Sequence, residues 1–340
     1  MRTITILKPG GYDALCLRSD LPIPPLKEHE VRIHVAFAGV NYADCLVRLG
    51  LYKSAKDHGG YPLVPGFDFS GVISDVGPSV SRHKVGDCVF GVTLFGGYQT
   101  DITAHEDYVC TVPKSISLAQ AASLPTAFLT AYYLLHHSAY VRPGERLLVR
   151  SIAGGVGGWL GILGTQAGAE VHGTVSTKEK CTYVKSLGYT HVYIEHDIKH
   201  VQFDVIANAF GGPTIKEDFA RLTHKGRLVL YGFHGMVQTN KSGKLSLTSY
   251  VRLVWSYLRT TRIHPFTLVN ENRSVSGFNL SYLYEDRTLY RIAMKSLNSL
   301  IQNGIYIPPV TEIPMTDVAD AHQLLENKKT IGKLVLNMNE

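Results

Sequence analysis

Over the first hundred residues, apolar positions come in short runs. Residues 2–7, 31–38, 68–76 and 87–90 are apolar or alternate apolar with polar, and Pro and Gly punctuate the gaps between them. Runs of that kind predict strands, and their close succession predicts a compact, barrel-like domain. From about Ser117 the rhythm becomes helical, with helices expected over 118–124 and 130–138 on either side of Pro125. Beyond them, short unbroken apolar runs alternate with helix-length segments. Residues 147–151, 170–175, 191–194, 203–207 and 227–231 read as parallel strands, with 274–280 as a further one, because a strand buried on both faces loses the polar alternation. The alternation predicts an α/β fold with a doubly wound sheet. Residues 289–303 and 318–326 then read as helices, and 332–337 as a closing strand.

The chain has 340 residues, enough for two domains that each bury a core. The pattern divides it into a β-rich domain, 1–124 with 284–340, and an α/β domain, 125–283. One stretch, 147–169, is long and almost uncharged, as a membrane span would be. Its glycines at 154, 155, 157, 158, 161, 164 and 168 split it instead into a buried strand, a glycine turn and a helix.

Composition narrows the function classes. With 45% hydrophobic and 18% charged residues, the chain resembles an ordinary soluble enzyme. The net charge of +6 favours anionic ligands, but no long basic block marks a nucleic-acid tail. The five cysteines are scattered and never spaced as CxxC, which argues against a disulfide framework or a structural zinc cluster and for a reducing compartment. The first apolar run ends at Lys8, too soon for a signal-peptide core, so a cytoplasmic location is expected.

The strongest chemical signal is Gly154-Gly155-Val156-Gly157, after a predicted strand and opening a predicted helix. Glycine lets the backbone approach a pyrophosphate, and the helix N-terminus offers free N–H donors and a favourable dipole. At the end of the next strand, where an acid would bind an NAD ribose, the sequence instead has Ser176 with Lys180 close behind. Both can donate to a 2′-phosphate, so NADP(H) is expected as cofactor; the same lysines also read as a solvated helix start.

Residues 39–44 (GVNYAD), 50–52 (GLY), 65–71 (PGFDFSG), 84–87 (KVGD), 130–132 (TAY) and 154–157 (GGVG) resemble, in order and spacing, the medium-chain dehydrogenase/reductase superfamily. The likeness is to its zinc-independent quinone oxidoreductase-like group, and 271–280 and 331–333 look most like the synaptic-vesicle membrane protein branch. The resemblance implies a GroES-like catalytic domain, a Rossmann domain and a homodimer, with 274–280 pairing across the interface. It also implies that Thr130 and the backbone near Phe278 and Leu280 hold the nicotinamide end, and that Asn208 and Gly232 line the same crevice. Zinc-dependent relatives place Cys and His at positions matching 39–44 and Phe67; with Val40, Asn41 and Phe67 there, no metal is expected.

The implied chemistry is hydride transfer to a quinone or α,β-unsaturated carbonyl, a small electrophilic substrate, with Asn41 and Tyr52 as candidate donors to the oxygen that gains charge. Either also reads as a structural hydrogen-bonding residue. Three positions depart from the group's pattern: Ile152 is bulky at the first fingerprint position, Glu195 stands where a cofactor-binding Tyr is frequent, and Leu46 replaces an aromatic residue. The basic, aromatic stretch 241–262 reads as a helical lid or packing face, or as a membrane-touching amphipathic helix. An alternative function is an NADPH-binding protein of weak turnover with a membrane or partner-binding role.

Overall fold

The computed structural model describes every residue except Asp20, His196, Lys199 and His200. The chain forms two compact units: Met1–Leu129 with Asn240–Leu245 and Leu280–Glu340, and Thr130–Thr239 with Ser246–Asn279.

The first unit is built on a seven-stranded sheet. Its order is Val310–Pro314, Lys333–Asn337, Glu30–Val40, Asp68–Val76, Cys88–Val92 and Val109–Thr111, with Asp101–His105 also paired to Glu30–Val40. Alternation along the long strand turns Val31, Ile33 and Val35 into the core, where they meet Phe69, Ile73, Ile102 and Leu334. Fully burying one such side chain contributes about 1.5–3 kcal/mol. The register slips between Val35 and Phe37, and a Cβ at Gly71 opposite would lie 2.0 Å from the His34 carbonyl oxygen, so only glycine admits this approach.

The short segment Asn240–Leu245, placed by the sequence in the α/β domain, belongs to this first unit. The Tyr12 N–H donates to the Ser242 carbonyl at 3.0 Å, and the buried Arg48 guanidinium donates to the Gly243 carbonyl at 2.8 Å. Arg48 also pairs with Glu326 and lies over the Tyr12 ring. These are long-range contacts that hydropathy does not encode.

The second unit holds six parallel strands in the order His191–Ile194, Glu170–Val175, Arg146–Val149, Phe203–Asn208, Leu222–Leu230 and Ser274–Gly277. Numbered along the chain this is 3-2-1-4-5-6, the doubly wound order. The glycine-rich stretch divides as expected, into strand Arg146–Val149 and helix Gly155–Gln166. Gly164 lets that helix settle on the sheet, since a Cβ there would lie 2.6 Å from Leu147 Cδ2. Pro125 separates two helices, as expected, the first of them Leu118–Ala122. It opens the helix Pro125–Tyr133, where its missing N–H costs nothing, and the helix widens into a π turn over Leu134–Ser138. Among the described residues, no helix is long and apolar enough to cross a membrane.

Candidate active site

In the second unit, the strand order reverses between Arg146–Val149 and Phe203–Asn208, and Gly154–Gly157 and Asn208 stand at the carboxyl ends of these two strands. After Val149 the backbone turns sharply, with Ser151 at φ +63°, and enters the helix at Gly154, which offers no side-chain cap. The first-turn N–H groups of this 12-residue helix are therefore not capped by a side chain. Gly157 is required for a different reason: its Cβ would lie 2.2 Å from the Ser151 carbonyl oxygen, so the helix could not sit this close to the turn.

The turn is tied to the neighbouring strand. Ile152 N–H donates to the Thr174 carbonyl at 3.0 Å, and Ser151 N–H to Thr174 Oγ1 at 3.2 Å. This brings Gly154–Gly157 beside Ser176, the residue after strand Glu170–Val175. Thr177 caps the following helix by accepting from the Lys180 N–H at 3.3 Å. Glu195 is held at the same sheet end, its N–H donating to the Val175 carbonyl at 3.1 Å. The bulky Ile152 does not obstruct the turn: it is buried and points at Gly173, whose missing side chain makes room for it.

Asn208 is corrected from an expected lining side chain to a buried structural one. Its Oδ1 accepts from the N–H groups of Phe210 (2.7 Å) and Gly211 (2.9 Å), and its Nδ2 donates to Asp218 (2.6 Å) and Thr214 (2.9 Å). Asp218 in turn pairs with the buried Arg150. Gly232 follows strand Leu222–Leu230, and Phe278 follows Ser274–Gly277 with its N–H donating to the Leu230 carbonyl at 3.2 Å and its ring on Tyr133. Thr130 is buried within the helix Pro125–Tyr133.

The first unit contains a pocket that opens to solvent. Its walls are mostly apolar and aromatic: Phe67, Leu94, Leu129, Leu280, Tyr284 and Tyr290 among them. Two of its phenols are committed to the backbone, Tyr108 to the Tyr284 carbonyl (2.6 Å) and Tyr290 to the Tyr108 carbonyl (2.7 Å). Tyr52 also lines the pocket. Its ring packs edge-on against Phe67 and Phe95, and its hydroxyl lies 3.3 Å from Ser281 Oγ, which donates to Ser54 Oγ at 2.9 Å. Ser281 was not anticipated; nothing in its local sequence marks it, because it meets Tyr52 across 229 positions of chain.

Asn41, expected as a donor to substrate, is instead turned into a buried network. Its Nδ2 donates to Asp68 Oδ2 at 2.8 Å, and its Oδ1 accepts from Lys333. Asp68 also accepts from the Thr126 N–H at 2.8 Å and from its hydroxyl, and Thr126 reaches the pocket wall. Burial raises the Asp68 carboxyl and lowers the Lys333 ammonium, while their mutual attraction opposes both shifts. Asp44 accepts from the Asn41 N–H (2.8 Å), Tyr98 hydroxyl (3.0 Å) and Gly66 N–H (3.0 Å), yet burial pushes its carboxyl up to about 7. Asp44 thereby orients the turn that carries Asn41 and does not face the pocket.

Comparison with known proteins agrees with this architecture. Residues 27–131 match the alcohol dehydrogenase GroES-like domain, and residues 187–336 match the family described as zinc-binding dehydrogenase. The synaptic vesicle membrane protein VAT-1 homolog of Danio rerio is 30% identical over 350 residues, covering 98% of this chain and 69% of the relative. The Escherichia coli quinone oxidoreductase, solved in complex with NADPH, superposes with a TM-score of 0.83 at 26% identity, over 99% of this chain and 100% of that one. CurK enoyl reductase gives 0.83 at 28% identity, over 99% and 98%. With its GroES-like unit, its 3-2-1-4-5-6 parallel sheet and relatives matched over nearly the full length, the chain belongs to the medium-chain dehydrogenase/reductase superfamily, in its quinone oxidoreductase-like group.

Proposed function

We propose that the protein is a zinc-independent, NADPH-dependent reductase that transfers hydride to a quinone or α,β-unsaturated carbonyl and works as a homodimer. The observation that carries this reading is the apolar pocket of the first unit, on whose wall Tyr52 stands: its hydroxyl donates to Ser281, which donates on to Ser54, and a substrate oxygen takes over the Tyr52 proton by displacing that long 3.3 Å contact. Val40, Asn41 and Phe67 stand where zinc-dependent relatives carry ligands. Two are apolar, and the amide of the third is engaged by Asp68 and Lys333. Tyr52 is then the electrophilic group for an oxygen that gains charge.

The uncapped helix N-terminus at Gly154–Gly157 fits a pyrophosphate, and Ser176 and Lys180 fit a 2′-phosphate at the adjacent strand end. NADPH, when bound, supplies the hydride. Thr130 and the backbone around Phe278 and Leu280 orient its nicotinamide end, and Gly232 lines the cofactor at its strand end. In the pocket, Phe67, Leu94 and Leu129 exclude water, which strengthens the hydrogen bond that the Tyr52 hydroxyl makes to the substrate oxygen. Ser281 holds the phenol in place. Asn41 acts as a positioning residue, fixing Asp68 and, through it, Thr126 on the pocket wall.

The test is NADPH oxidation against a panel of quinones and enones, with NADPH binding measured alongside. Tyr52→Phe is expected to lower kcat by on the order of 100-fold with NADPH affinity unchanged. Full activity in Tyr52→Phe would remove Tyr52 from the mechanism. No turnover by the parent on any electrophile would favour the second reading, an NADPH-binding protein that docks a membrane or partner. That reading is supported by the helix Leu247–Leu258, which buries none of its residues and exposes Leu247, Tyr250, Val251, Trp255 and Leu258 beside Arg252 and Arg259.

A further inference from the structure

At the opposite end of the second unit's sheet, strand periodicity assembles a second cluster. Glu170 opens the strand Glu170–Val175, and His172, two residues on, shares its face. His191 opens the edge strand His191–Ile194 and is the register partner of His172. The donor atoms of Glu170, His172 and His191 all lie within 4.8 Å of one another. Among the described residues, this is the one group of three or more His, Cys, Asp or Glu that converges in this way.

We propose that Glu170, His172 and His191 form a binding site for a divalent transition-metal ion of the zinc class, separate from the cofactor and substrate residues. Two imidazoles and a carboxylate are a borderline nitrogen–oxygen donor set suited to that ion. Metal–ligand bonds of about 2.0–2.1 Å in a tetrahedron set neighbouring ligand atoms roughly 3.3 Å apart. Here Glu170 Oε1 lies 2.9 Å from His172 Nε2 and 3.4 Å from His191 Nε2, and a turn of the half-exposed His191 ring out of its stack on His172 brings both Nε2 lone pairs onto one ion.

The surroundings are those of a built site. His172 is buried, its ring stacks on His191 at 4.4 Å and meets Phe203 edge-on, and its Nδ1 lies 3.0 Å from the Tyr193 hydroxyl. That second hydrogen bond fixes the ring and leaves Nε2 aimed at the cluster, the arrangement that orients a metal-bound histidine. Glu170 and His191 are about half exposed, so an ion has a route in from solvent and a fourth position remains for water. Bound there, it clamps the edge strand to its neighbour at the end of the sheet where Glu170 stands, about 20 Å of strand away from Ser176. The positive charge of Arg146, the register partner of Glu170, opposes the ion and sets the affinity below that of a buried structural zinc.

The test is equilibrium dialysis of the chelator-stripped protein against zinc chloride. The parent is expected to hold one zinc per chain and to gain several degrees in Tm with excess metal. Cobalt(II) is expected to give a tetrahedral d–d band without a thiolate charge-transfer band, which separates this site from the five cysteines. His191→Ala and Glu170→Gln, both at exposed positions, are each expected to weaken zinc at least about tenfold and to leave NADPH affinity unchanged. The proposal is overturned if the parent binds no more zinc than the Glu170→Gln/His191→Ala double variant, or if the cobalt spectrum shows thiolate ligation. Either result leaves a side-chain cluster in which Glu170 lies against both imidazoles.

Discussion

Ile152 occupies the space that Gly173 leaves on the neighbouring strand. A Cβ at 173 would lie 2.4 Å from Ile152 Cγ2, well inside contact distance. Gly173→Ala alone is therefore expected to cost about 1–3 kcal/mol through overpacking, and Ile152→Ala alone about 2–5 kcal/mol through a cavity. Because each change relieves the other, the double variant is expected to cost clearly less than their sum in a urea-denaturation cycle. Simple additivity would show that the two side chains do not share this space. A second single-site expectation concerns cofactor choice. One charge-assisted hydrogen bond contributes about 1.5–3 kcal/mol, so Lys180→Ala is expected to weaken NADPH tenfold or more and to leave NADH little changed. Equal affinities of the parent for the two cofactors would set aside the assignment of Ser176 and Lys180 to a 2′-phosphate.

The helices Tyr42–Arg48 and Val318–Glu326 both pack in the first unit, and the second carries the fully buried His322. Neither ring nitrogen of His322 has a hydrogen-bond partner, and burial, aided by Arg48, holds its pKa down at about 3. As pH falls below about 6.5, the unfolded chain takes up a proton that the folded one refuses until about 3, so stability is lost through that window. From pH 7 to 5 the loss amounts to about 2 kcal/mol. Asp44 acts with the opposite sign, because the folded state binds its proton from about 7 downward. The informative quantity is thus the difference between the parent and His322→Leu, in which Asp44 cancels. A pH-independent difference in unfolding free energy would contradict the burial of an unpaired imidazole.

Elements were legible in the sequence where a short-range pattern defines them. All six strands of the parallel sheet stand within a few residues of their expected places, since unbroken apolar runs between glycine and polar punctuation have few other readings. Leu15–Arg18, Asp101–His105, Val109–Thr111 and Val310–Pro314 gave no such signal, being three to five residues long and dependent on partners elsewhere in the sheet. In the candidate site, the glycine turn was legible because strand, glycine and helix are contiguous. The commitment of Asn41 to Lys333, and the meeting of Tyr52 with Ser281, were not, because each joins positions more than 200 residues apart.

The strand Ser274–Gly277 closes one side of the parallel sheet and leaves an edge without a partner among the described residues of the chain. A homodimer that pairs this edge would cover it. Light scattering is expected to give twice the 37.5 kDa of one chain, and a monomer at micromolar concentration would count against dimerisation. The order of the segments has a consequence for biosynthesis. The second unit lies almost wholly between Thr130 and Asn279, whereas the sheet of the first draws Val310–Pro314 and Lys333–Asn337 from the last thirty or so residues. A ribosome therefore releases the parallel sheet complete while the long strand Glu30–Val40 still lacks its neighbour Lys333–Asn337. For that interval the Lys333–Asn337 side of Glu30–Val40 is unpaired and open to aggregation, and a chain stalled after Asn279 would carry one folded unit and one that cannot finish.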